Sequence, residues 1–83
     1  MKIRVKLIFL PGPPPPGFDE DGNGTLEAAQ GSTLGDLLER LELPGNETYV
    51  TLINGEPVSR DRRSERTVRD GDTLTIFPPI EGG

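Results

Sequence analysis

One run of leucines constrains this chain more than any other feature. In "STLGDLLERLEL", Leu34, Leu37, Leu38 and Leu41 recur at i, i+3, i+4 and i+7, which places all four on one stripe of an α-helix. Thr33 and Asp36, three residues apart, supply a capping box with Asp in the place of the usual Glu, and Pro44-Gly45 marks the expected end. A lone amphipathic helix cannot cover its own stripe. It needs a second layer, and the rest of the chain offers strands.

The strands announce themselves by alternation. "KIRVKLIFL" puts Ile3, Val5, Leu7 and Phe9 on one face and Lys2, Arg4, Lys6 and Ile8 on the other. "PGPPPPGFDEDGNG", residues 11–24, reads as a loop of the hairpin that leads to a second strand in "TLEAAQ", where Leu26 and Ala28 face one way. A third strand lies in "YVTLINGEPV", with Val50 and Leu52 expected inward. Asn54-Gly55 closes a turn, and Glu56-Pro57-Val58 offers only a brief edge segment, because proline cannot donate to a ladder. Asp70-Gly71 turns the chain again into "TLTIF", whose Leu74 and Ile76 point inward. The order β-β-α-β-(β)-β describes an α+β domain over residues 1–77, a mixed sheet of four to five strands with one main helix packed across one face. Residues 78–83 form a tail.

Composition narrows the chemistry. At 83 residues the chain is one domain, large enough to fold without disulfides or metals. Cysteine and histidine are absent, which removes thiol nucleophiles, imidazole acid–base chemistry and zinc sites of the usual kind. The net charge of −5 sets up a field that repels a phosphate backbone, so nucleic acid is not an expected partner. The longest apolar run, residues 7–10, is far too short to span a membrane. Lys2, Arg4 and Lys6 alternate with apolar residues as in a strand rather than a signal peptide, and the cytoplasm is the expected compartment.

Three further signals have plainer readings. Asp19, Asp21, Asn23 and Gly24 match the first half of a calcium loop, but Gln30 stands where a bidentate glutamate is needed and "PGPPPPGF" cannot form the entering helix. A polar turn is expected there, and no metal. "PGPPPP" reads as a stiff spacer before it reads as a ligand for an aromatic groove. Arg60, Arg62, Arg63, Arg66 and Arg69 are interleaved with Asp61, Glu65, Asp70 and Asp72, so the stretch reads as a solvated loop.

The ending is the most specific segment. "TLGDLLERL", "LINGEPV" and "VRDGDTLTIFPPIEGG", in this order of elements, resemble the ubiquitin-like β-grasp sulfur carriers of molybdopterin and thiamine synthesis over residues 26–83. Phe-Pro-Pro, a variable pair and Gly-Gly resemble the tail of the small subunit of molybdopterin synthase more than that of the thiamine carrier, which usually lacks the double proline. The first strand departs from the family in leaving through a long proline-rich segment. The resemblance implies a non-catalytic cosubstrate with no cofactor of its own. A ubiquitin-activating-type adenylyltransferase would use ATP to adenylate the Gly83 carboxylate, a sulfur donor would convert it to a thiocarboxylate, and the large subunit of a synthase would accept the sulfur. Molybdopterin synthesis is the first expectation. A thiamine or tRNA-thiolation carrier, or a protein modifier conjugated through Gly83, is the alternative.

The residues suit that chemistry. A terminal carboxylate is a poor electrophile until it becomes an acyl-adenylate, which a sulfur nucleophile can attack with loss of AMP. Gly82 and Gly83 lack a Cβ and can thread a narrow channel. Pro78 and Pro79 fix φ and hold the tail extended. Ile80, followed by Glu81, fits a shallow pocket at the channel mouth. Phe77 alternates outward from Leu74 and Ile76, so it is expected as an aromatic docking anchor beside the tail.

Overall fold

In the computed structural model, which describes residues 1–8, 13–42 and 49–78, five strands form one mixed sheet in the order β2-β1-β5-β3-β4. Strand β1 (Lys2–Leu7) buries Ile3, Val5 and Leu7 and exposes Lys2, Arg4 and Lys6, as its alternation demands. Strand β2 (Asn23–Glu27) runs antiparallel to it, with Leu26 opposite Ile3 and Gly24 opposite Val5. Strand β5 (Thr73–Phe77) lies parallel on the other side of β1, Leu74 beside Val5 and Ile76 beside Leu7. Strand β3 (Val50–Ile53) pairs antiparallel with β5, and the short β4 (Glu56–Val58) completes that edge. The Asn54-Gly55 hairpin works as expected: both residues take positive φ, 51° and 84°, the signature of a two-residue turn matched to strand twist.

Helix α1 (Leu34–Leu41) covers one face with the four predicted leucines, all buried with Ile3, Val5, Ile53, Leu74 and Ile76. Each is worth about 1.5–3 kcal/mol of burial. The capping box forms in both directions, the Asp36 amide donating to Thr33 Oγ1 at 3.2 Å and the Thr33 amide to Asp36 Oδ2 at 2.9 Å. Glu42, in a left-handed conformation at φ 50°, ends the helix ahead of Pro44-Gly45, which lies outside the described residues.

Three sequence expectations change. In β3 the buried residues are Thr51 and Ile53, joined by Tyr49, while Val50 and Leu52 are half-buried on the opposite face. Register decides this: Ile53 stands opposite Leu74 and Thr51 opposite Ile76, and directly paired residues share a face. The buried Thr51 hydroxyl is satisfied by donating to the Val58 carbonyl at 3.1 Å. Next, β2 begins at Asn23, so the last two residues assigned to the 11–24 loop belong to a strand. Finally, part of that loop is built rather than merely stiff. The Phe18 amide donates to the Pro15 carbonyl across Pro16-Gly17, with Gly17 at φ 90°, the pattern of a type II turn. The turn lays the Phe18 ring on Gly24, where a Cβ would come within 2.8 Å of it. An aromatic thus fills the place of a side chain missing from the sheet.

Candidate docking face

The face of the sheet away from α1 carries Phe77, the last residue of β5. Phe77 stands opposite Val50, Thr75 opposite Leu52, and Leu52 opposite Pro57, so these residues share the outer face. One strand over, the Ile8 amide donates to the Ile76 carbonyl at 2.9 Å, which continues β1 past Leu7 and sets Ile8 at the same end of the sheet. Ile8 is 37% exposed, the most open large apolar side chain among the described residues. Ile8, Phe77, Val50, Leu52 and Pro57 therefore form an apolar strip across β1, β5, β3 and β4. Lys6 and Arg4, opposite Thr75 and Thr73, flank it with positive charge.

Phe77 takes the outward parity expected of it and is half-buried. Pro78, the first residue after β5, is also half-buried. Pro79, Ile80, Glu81, Gly82 and Gly83 lie outside the described residues. Val50, Leu52 and Pro57 were not anticipated in the strip. Thr51 interrupts the other parity of "YVTLI", so Val50 and Leu52 read as inward, and only the pairing with β5 places them on the outer face.

The calcium candidates sit in a turn. Asp19 Oδ1 accepts from the amides of Asp21 and Asn23, each at 2.9 Å, and Asn23 has joined β2. Gly22 closes that turn at φ 85°, where a Cβ would fall 2.2 Å from the Leu7 carbonyl oxygen. Among the described residues no group of three or more acidic side chains is placed to hold a metal ion. No helix there is long and apolar enough to cross a membrane.

The arginine segment is more structured than a solvated loop. After a 3-10 turn at Arg60–Arg62 the chain passes over the start of α1. The Leu34 amide donates to the Arg66 carbonyl at 2.8 Å and the Gly35 amide to the Arg63 carbonyl at 2.9 Å, which satisfies two of the helix's open N–H groups. Arg63 is buried, and its Nη2 donates to the Tyr49 carbonyl. Burial, and secondarily the Arg60 charge, push its guanidinium pKa down. No local pattern predicts this burial, because it follows from contacts with an element far away in sequence.

Residues 18–83 match the sequence profile described as the ThiS family. Solved structures share the fold over nearly the whole chain. The thiamine biosynthesis protein ThiS of Geobacter metallireducens is 21% identical with a TM-score of 0.67, covering 96% of this chain and 99% of that one. A chain from the complex of subunits 1 and 2 of molybdopterin-converting factor from Helicobacter pylori is 19% identical with a TM-score of 0.62, covering all of both chains. Small archaeal modifier protein 1 of Haloferax volcanii is 19% identical with a TM-score of 0.61, over 95% of this chain and 98% of that one. A comparison with curated protein sequences finds no match.

Proposed function

The chain belongs to the ThiS family of ubiquitin-like β-grasp proteins, and from that premise we propose that it carries sulfur on its C-terminal residue. In this reading the Gly83 carboxylate attacks the α-phosphate of ATP in the site of a ubiquitin-activating-type adenylyltransferase. Pyrophosphate leaves and an acyl-adenylate forms. A sulfur donor then displaces AMP, and the resulting thiocarboxylate delivers its sulfur to an acceptor bound by a synthase large subunit. The chain is a cosubstrate; ATP and the sulfur donor belong to its partners.

One observation carries the reading. Strand β5 sits between β1 and β3, ends at Phe77, and hands over directly to Pro-Pro-Ile-Glu-Gly-Gly. A tail that reacts at Gly83 would start from an inner strand, next to an apolar strip suited to a partner. The double proline resembles the tail of the molybdopterin synthase small subunit more than that of the thiamine carrier, which supports molybdopterin synthesis as the first route, with thiamine synthesis or tRNA thiolation as the alternatives. A modifier joined through Gly83 to lysine is the second reading, favoured by the likeness to the archaeal modifier protein. Both begin with the same adenylate and differ in product. The test is the intact mass of the protein recovered from its host: one C-terminal oxygen replaced by sulfur, lost on hydrolysis, supports the carrier. A ladder of lysine-linked species with no thiocarboxylate overturns it in favour of the modifier.

A further inference from the structure

A groove of about 810 Å³ opens along the β4 edge, between β3, β4 and residues 59–66. It lies at the tail end of the sheet, since Val50 is paired with Phe77 and Thr51 with Val58. Its lining is of two kinds. Val50, Pro57 and Val58 are apolar, whereas Arg60, Arg62, Arg63 and Arg66 outnumber the two carboxylates of Glu56 and Glu65. This is a local surplus of positive charge in a chain whose net charge is −5. The volume falls within the range of pockets that hold drug-sized ligands.

The edge is closed to one common mode of peptide capture. Strand β4 is only three residues long, and Pro57 at its centre has no N–H to offer an added strand. Recognition must therefore come from side chains. Guanidinium groups favour carboxylates, which they bind through paired N–H donors. Arg62 is exposed, and Arg66 is anchored by donating from Nη1 to the Thr67 carbonyl at 2.6 Å.

The groove is also continuous with the strip proposed to dock a partner. Val50 and Pro57 belong to both, through their pairing with Phe77 and Leu52. A protein covering Phe77 reaches the arginines without crossing an unrelated surface. We propose that the groove receives an acidic segment of the adenylating partner, its carboxylates on Arg62 and Arg66 and its apolar side chains on Val50, Pro57 and Val58. The identity of that partner rests on the carrier reading; the acidic chemistry of the ligand does not.

Two arms test this on the full chain. In the first, hexaglutamate is titrated into the protein and followed by amide NMR. Shifts concentrated in residues 58–66 are expected, lost in Arg62→Glu and kept in Arg69→Glu, which lies outside the groove lining. Shifts caused by inorganic phosphate or ATP but not by the peptide overturn the proposal. So do groove signals that move when residues 79–83 are deleted in the absence of peptide, because the chain's own tail is then the occupant. In the second arm, ATP–pyrophosphate exchange is measured with the host's adenylyltransferase. Arg62→Glu and Arg62→Ala should raise the half-saturating carrier concentration, by about tenfold for the charge reversal, with the maximal rate unchanged and the salt dependence flattened. Unchanged saturation in variants whose melting matches the wild type overturns the proposal. A wild-type chain that is never adenylated overturns the carrier reading instead, and the peptide arm still judges the groove.

Discussion

On β5, Leu74 and Ile76 are buried while Thr75 and Phe77, one residue away, stay half-open; on β3 the same division separates Thr51 and Ile53 from Val50 and Leu52. One parity of these strands seals the core against α1, and the other carries an apolar strip towards whatever meets the tail. The lesson is that a period of two lets a very small domain separate holding itself together from presenting an apolar surface. The two tasks use adjacent residues, and they should still fail independently.

That separation can be broken by mutation. Ile76→Ala, in the middle of the core, should cost about 2–5 kcal/mol in urea denaturation, a large share of the stability of a domain this size. Gly22→Ala should cost about 1–3 kcal/mol, since the new Cβ meets the Leu7 carbonyl at a φ that disfavours side chains. Thr33→Ala removes the N-cap acceptor and should lose about 1 kcal/mol. Phe77→Ala should cost about 1 kcal/mol or less in stability, yet weaken partner binding by about 2 kcal/mol or more in calorimetry. A larger effect of Phe77→Ala on folding than on binding would erase the division between the faces. Removing Gly82 and Gly83 should leave the melting temperature in place and abolish adenylation. On stability the series falls from core to tail; on activity the last two members lead it.

Much of this fold is legible because its signals are local. The leucine stripe, the Thr33–Asp36 box and the alternation of β1 each fall within a dozen residues, and each formed as read over the described residues, which leave out Phe9. What escaped was set by distant pairing. In "YVTLI" the local pattern points the wrong way: Val50 and Leu52 make the wholly apolar parity, yet Thr51 and Ile53 turn inward once Ile76 and Leu74 lie alongside. Arg63 looks solvated in "SRDRRSER" and is buried because its carbonyl meets the first turn of a helix nearly thirty residues earlier. Phe18 read as part of a polar loop, and it is fixed by the bare backbone of Gly24. For the candidate site, the outward parity of Phe77 could be read from the sequence, whereas its neighbours in the strip could not.

The place of β5 also has a mechanical side. It is gripped along both edges, parallel to β1 and antiparallel to β3. Tension applied at Pro78 along the strand axis would load two rows of hydrogen bonds in shear at once, instead of peeling them singly as at an outer strand. The chain beyond Pro78 therefore leaves from an anchor that yields only when both rows give way together.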